Sequence, residues 1–225
     1  MDSPVISVKP GAQERLAVFL AFMAGYVDGV GYMKLKTYVS FMSGNTTQVG
    51  FNIAHGSIAA ASSAVTAIGG FVAGIYLGTC LSVWRPHYSN ALNIRISSGL
   101  LLLYMTLSHF FFLSSILAVW IISLSMGVMN TIVSSVGKQA VNTDFVSGTL
   151  NSLAKKLASF SMAKNAIERT EHKVGALRLL FLWLGFLSGA AVGVLAVHLF
   201  GGWSLGVPAL FLLSGPFLWK NYFRR

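Results

Sequence analysis

Asp28 is the residue of this chain with most reason to do chemistry, because it is a carboxylate set inside an apolar stretch. An aspartate at the centre of a membrane span costs about 2.5–3.5 kcal/mol on insertion scales, so it has to be paired, hydrated or neutral. Such a group can carry a proton, ligate a cation or touch a substrate. It can also simply hold the backbone of a broken helix, or pair with Lys34 or Lys36. A second polar group follows closely. Ser43-Gly44-Asn45-Thr46-Thr47 places hydroxyls and an amide at a predicted helix start, where free N–H groups attract anions or polar solute groups. The same side chains could instead satisfy their own helix. Ser147, Gly148, Thr149 and Asn151 are the partial counterpart later in the chain, and Asn130 stands where Asp28 stands, keeping polarity without charge. These eleven positions form the expected substrate-binding set, with Asp28 also the expected ion-coupling residue.

Enzyme chemistry is disfavoured. His109 and His198 lie within apolar spans, and a histidine with Ser43 or Ser147 as nucleophile would make an intramembrane hydrolase. But Ser-Gly recurs as a duplicated structural feature does, and neither histidine has a counterpart in the other half. His109, beside Phe110-Phe111-Phe112, reads as an interfacial residue, as do Trp84, Trp120, Trp203, Trp219 and Tyr222. No Cys/His cluster has metal-ligand spacing, Cys80 is the single cysteine, and no cofactor is expected.

The elements that must position these residues are repeated. Gly25-Tyr26-Val27-Asp28 precedes Phe41-Met42-Ser43-Gly44-Asn45-Thr46, and Gly127-Val128-Met129-Asn130 precedes Phe145-Val146-Ser147-Gly148-Thr149-Leu150. Each set is followed by a glycine ladder, Gly70/Gly74/Gly78 and Gly185/Gly189/Gly193. Matching landmarks in the same order point to internal duplication. The i, i+4, i+8 spacing lines one helix face with small residues, which lets helices approach closely in lipid, within the chain or as a homodimer.

Composition sets the class. Of 225 residues only 10% are charged and 55% are hydrophobic, with a mean hydropathy of +0.70. A soluble domain carries about 25% charged residues. Apolar stretches of spanning length cover roughly 15–33, 60–84, 94–113, 115–136, 175–199 and 203–220. The first, Leu16 to Met33, is too long for a signal-peptide core and reads as a retained span. Two further stretches, about 40–54 and 144–158, are too short and polar to cross. Ser40 and Asp144 suit their N-caps, and Ser-Gly suits a bend. The expected fold is all-α: a polytopic integral membrane protein of six transmembrane helices plus two short re-entrant or broken half-helices. It comprises a polar tail (1–14) and two inverted three-helix repeats, 15–113 and 114–225, in one membrane domain.

Charge placement supports that layout. The net charge of +10 would suggest nucleic acid in a soluble protein, but loop cations in a membrane protein set orientation, and no nucleic-acid partner is expected. With both short segments returning to their side of entry, only Lys34 and Lys36 of the 16 Lys and Arg fall on the outer face. Both termini are then cytoplasmic, and each repeat has an odd number of crossings, so the second is inverted. The stretch 159–174, with Lys164, Glu168, Arg169, Glu171, His172 and Lys173, is expected as a cytoplasmic loop containing a short amphipathic segment, which anchors topology and could touch anionic headgroups.

Together, Ala24-Gly25-Tyr26-Val27-Asp28, Val39 through Thr47, Gly127-Val128-Met129-Asn130 and Val146-Ser147-Gly148-Thr149-Leu150 resemble the YoaK family of bacterial six-helix membrane proteins. The resemblance covers nearly the whole chain. Family members tend to carry Thr-Gly-Thr-Leu in the second half, where Ser147 here replaces the threonine. The resemblance implies a multi-pass protein of the bacterial inner membrane and no particular chemistry. From the residues, the leading expectation is a small secondary transporter or facilitator of a polar or anionic solute, with its site between the half-helices. A passive channel, an intramembrane hydrolase and a structural membrane protein are the alternatives.

Overall fold

Each apolar stretch becomes a helix, because inside lipid a helix satisfies its own backbone groups. The computed structural model describes residues 10–86, 88–132, 135–136, 139–140 and 146–218. Helix α1 (Pro10–Leu35) opens on a proline, whose missing N–H has no intrahelical acceptor to lose. There follow α2 (Met42–Ala54), α3 (Ile58–Trp84), α4 (Ser89–Phe110), α5 (Ser115–Asn130), α6 (Val146–Ser161), α7 (Ala166–Phe200), a 3-10 turn (Gly201–Trp203) and α8 (Gly206–Leu218). Two-residue antiparallel strands, β1 (Ser135–Val136) and β2 (Gln139–Ala140), stand between α5 and α6.

Four segments are long and apolar enough to cross a bilayer: Gln13–Leu35, Ile58–Trp84, Ser89–Phe110 and Ala166–Trp203. Helix α5 is equally apolar but has 16 residues, a length of about 24 Å against a hydrocarbon core near 30 Å. Helix α8 is described over 13 residues. In place of six similar spans, the described residues therefore form four long helices and shorter apolar ones.

The glycine ladders explain how these helices pack. Helix α7 lies on α1, with Gly185, Gly189 and Gly193 against the backbone of Val18, Phe22 and Tyr26 in turn. Helix α3 lies on α5, with Gly70 and Gly74 against the carbonyls of Trp120 and Leu124, and Gly78 against Thr131. In both pairs the residue numbers rise together, so the partners are parallel. The registers match. Gly25 faces the carbonyl of Phe186, next to Gly185, as Gly127 faces that of Phe71, next to Gly70. Each ladder thus serves the Gly-x-x-Asp/Asn helix of the other half. The ladders are used within the chain.

Three local expectations are corrected. The stretch 159–174 is not a loop: α6 runs to Ser161, a four-residue link follows, and α7 begins at Ala166. Asn165 caps α7, accepting the Glu168 N–H at 2.8 Å. That helix has 35 residues, about 52 Å, so its first turns stand clear of a 30 Å apolar layer. Ser-Gly does not break the short helices, because Ser43-Gly44 and Ser147-Gly148 both lie in the first turn of an unbroken α2 or α6. Ser40 does not cap α2: Phe41 occupies that position with no side-chain bond, and Ser40 is turned to Asp28. Asp144, Phe145, residues 1–9 of the tail with Lys9, and Lys138, Lys220, Arg224, Arg225, Trp219 and Tyr222 lie outside the described residues.

Candidate functional site

The site grows from one turn of α1. That helix is buried along most of its length, including Leu20, Ala24, Val27 and Val30, which forces Asp28 into the protein interior at 4% exposure. The carboxylate is fully engaged there. Its Oδ1 accepts the backbone N–H of Val39 and of Ser40, each at 2.8 Å, and its Oδ2 accepts the Ser40 hydroxyl at 2.8 Å. Neither Lys34 nor Lys36 forms an ion pair with it; the ion pair among the described residues is Glu14 to Arg178, at 2.8 Å. Three donors from one loop can stabilise an ionised carboxylate, since charge-assisted hydrogen bonds are the stronger kind. Asp28 is thereby the clasp of the α1–α2 loop, residues 36–41.

The loop around the clasp is built to a tight shape. Lys36 takes a positive φ of 53°, a conformation that bulky residues adopt at some cost, and it turns the chain sharply after Leu35. Tyr38 stacks on Tyr32 at 4.8 Å and meets Phe41 edge-on at 5.3 Å. Gly44 leaves room for that ring, as a side-chain carbon there would lie 2.5 Å from Phe41. Asn45, fully buried, donates to the carbonyl of Tyr38 at 2.8 Å, while its Oδ1 has no partner among the described residues. Asp28 and Asn45 therefore grip the same loop from opposite ends.

Of the other expected site residues, some are occupied with their own helix. Thr46 and Thr47 donate to the carbonyls of Met42 and Ser43, at 2.8 and 3.0 Å. Ser43, Ser147 and Asn151 are exposed, and Gly148 and Thr149 are partly so. Asn130 is half-buried on α5, its Oδ1 without a partner among the described residues. The structure brings Asp28, the loop and Asn45 together. It does not bring α2 and α6 together: α2 packs on α3, and α6 on α7. His109 packs against Trp203 with ring centres 4.8 Å apart and planes tilted by 48°, and no histidine bonds to Ser43 or Ser147 among the described residues.

A second polar cluster was not expected from the sequence. Ser97 on α4 and Ser125 on α5 bond reciprocally, hydroxyl to hydroxyl at 2.8 Å and each to the other's carbonyl at 3.0 and 2.9 Å. Asn93 reaches Thr131 at 2.8 Å and the carbonyl of Gly78 at 3.2 Å. These residues have no duplicate in the other half, so a search for repeated landmarks passes over them. The available signal was a set of small polar residues on the inner faces of two adjacent apolar helices. Removing one hydroxyl, by Ser97→Ala or Ser125→Ala, should destabilise the protein by about 0.6 kcal/mol, the usual worth of such bonds in a membrane. The double variant should lose less than the sum; strict additivity in a denaturation series would mean that the pair does not act as a unit.

The sequence profile described as "Protein of unknown function (DUF1275)" matches residues 16–216. The chain belongs to the DUF1275 family. It is also 25% identical over 210 residues to the UPF0700 transmembrane protein YoaK of Bacillus subtilis (strain 168), covering 90% of this chain and 92% of that protein. No solved structure matches it. This DUF1275 member is thus a membrane protein of the YoaK kind, as its motifs suggest. The DUF1275 match takes in Asp28, the clasped loop, Asn45 and both ladders.

Proposed function

We propose that this chain is a small secondary transporter or facilitator of a polar or anionic solute, with Asp28 as its proton- or cation-coupling residue. One observation carries the reading: a buried carboxylate within a span accepts two backbone N–H groups and a hydroxyl from the loop leading into a short helix. A proton on Asp28 would replace charge-assisted hydrogen bonds with neutral ones and so loosen the clasp on the 36–41 loop. Charge state and loop position are then linked, which is what coupling requires. The loop, α2 and Asn45 form the solute side of the site from one half. Asn130, Ser147, Thr149 and Asn151 contribute from the other in a conformation that closes the distance between α2 and α6. In this reading the halves are inverted repeats with both termini cytoplasmic, and α2 and α6 are re-entrant.

The test is a ligand-stabilisation screen on detergent-purified protein over ions, organic acids, sugars and nucleosides, with wild type and Asp28→Asn side by side. Ligand at 100 times its Kd should stabilise by about 2.7 kcal/mol. A solute that raises the melting temperature of wild type and not of the variant supports the coupled transporter. A solute that shifts both equally removes Asp28 from the mechanism. The absence of any shift speaks against a saturable site and for a channel or a structural role.

A further inference from the structure

Helices α3, α4 and α5 leave an open groove of about 500 Å³ on the outside of the bundle, lined by Leu77, Cys80, Leu81, Trp84, Ile96 and Leu124, among others. Its walls are almost wholly apolar. The adjoining surface of α3 is apolar too, with Val72, Tyr76 and Val83 each more than half exposed, so the medium filling the groove is hydrocarbon. Trp84 lines the groove, and the Arg85 guanidinium sits 4.8 Å over its ring. Arg85 pairs with no carboxylate among the described residues.

We propose that this groove is a binding site for a phospholipid with an anionic headgroup: one acyl chain lies along α3, α4 and α5, and the phosphate end rests on Arg85. The argument is charge complementarity joined to shape. An apolar slot with an unpaired guanidinium over one of its lining rings, at the end of a spanning helix, matches an amphiphile with a negative head. Arginine forks suit phosphate geometry, and an aromatic ring beside one of them belongs at the headgroup level. A second copy of the chain is a poorer match for Arg85, because the chain has only 6 Asp and Glu in all, and among these Asp28 and Glu14 are already engaged.

Cys80 provides the readout, because it is exposed, lines the groove and is the only cysteine. Purified protein in detergent is supplemented with phosphatidylglycerol or with phosphatidylcholine of the same acyl chains, and the rate of Cys80 modification by a maleimide is followed. Phosphatidylglycerol should slow labelling at concentrations where phosphatidylcholine does not. Arg85→Gln should raise the phosphatidylglycerol concentration for half protection about fivefold, and Arg85→Lys should restore most of it. Leu77→Trp fills the groove without touching Arg85 and should abolish protection by lipid. Equal protection by both lipids, or none by either, overturns the proposal. Protection that follows protein concentration and ignores lipid overturns it too, in favour of a second copy of the chain.

Discussion

Asp28→Ala is expected to unfold about 3 kcal/mol more readily than Asp28→Asn. Both variants remove the charge, so the cost of keeping a carboxylate in the interior cancels between them. What differs is the clasp. Asparagine can place its oxygen on the N–H groups of Val39 and Ser40 and its amide on the Ser40 hydroxyl, which turns to accept. Alanine leaves three buried donors without an acceptor, each lost partner costing about 1–3 kcal/mol. Denaturation in mixed micelles, with loop protection read by hydrogen exchange over residues 36–41, measures both consequences. Equal stability of the two variants would show that the loop holds its shape without the carboxylate.

The second large effect concerns close approach of helices. A methyl group at Gly25 would overlap the carbonyl oxygen of Phe186, and one at Gly127 would overlap that of Phe71. In neither case can a flexible side chain give way, because the obstacle is backbone. Gly25→Ala and Gly127→Ala should each cost about 2–3 kcal/mol, the upper range of overpacking effects. Gly50→Ala is the control: nothing lies within 4 Å of that position on α2, so it should be neutral or stabilise by roughly 0.5–1 kcal/mol through helix propensity. Similar losses at Gly25 and Gly127 would reflect their matched registers. A mild effect at one and a severe effect at the other would mean that the two interfaces are not energetically alike.

Much of the fold was readable from the chain because apolar length is a direct consequence of bilayer thickness. The first, third and seventh helices stand close to where the hydropathy runs place them, and the short segments expected at 40–54 and 144–158 are α2 and α6. Errors arose where one residue type serves two purposes. Glycine after serine permits a bend, yet in α2 Gly44 is needed for the Phe41 ring and the helix stays whole. The charged run before Val174 looked like loop because it is polar, although polar residues form good helix outside the lipid. The site was legible only in part. Asp28 announces itself by its charge, but its partners are two backbone amides, and no residue type advertises an amide turned toward a carboxylate. The Ser97–Ser125 pair was invisible for another reason: each serine is unremarkable until the two helices are side by side.

The exchanged ladders have a consequence for how the protein is made. During synthesis α1 enters the bilayer long before α7, yet the surface that fits its Gly25 and Gly29 belongs to α7. Helix α3 likewise waits for α5. The early helices must persist in lipid as separate units until the late ones arrive, as independently inserted helices can. A chain stopped after α4 has neither of its ladder interfaces complete. Each half is therefore the other's scaffold, and a truncated product meets quality control with unfilled glycine faces.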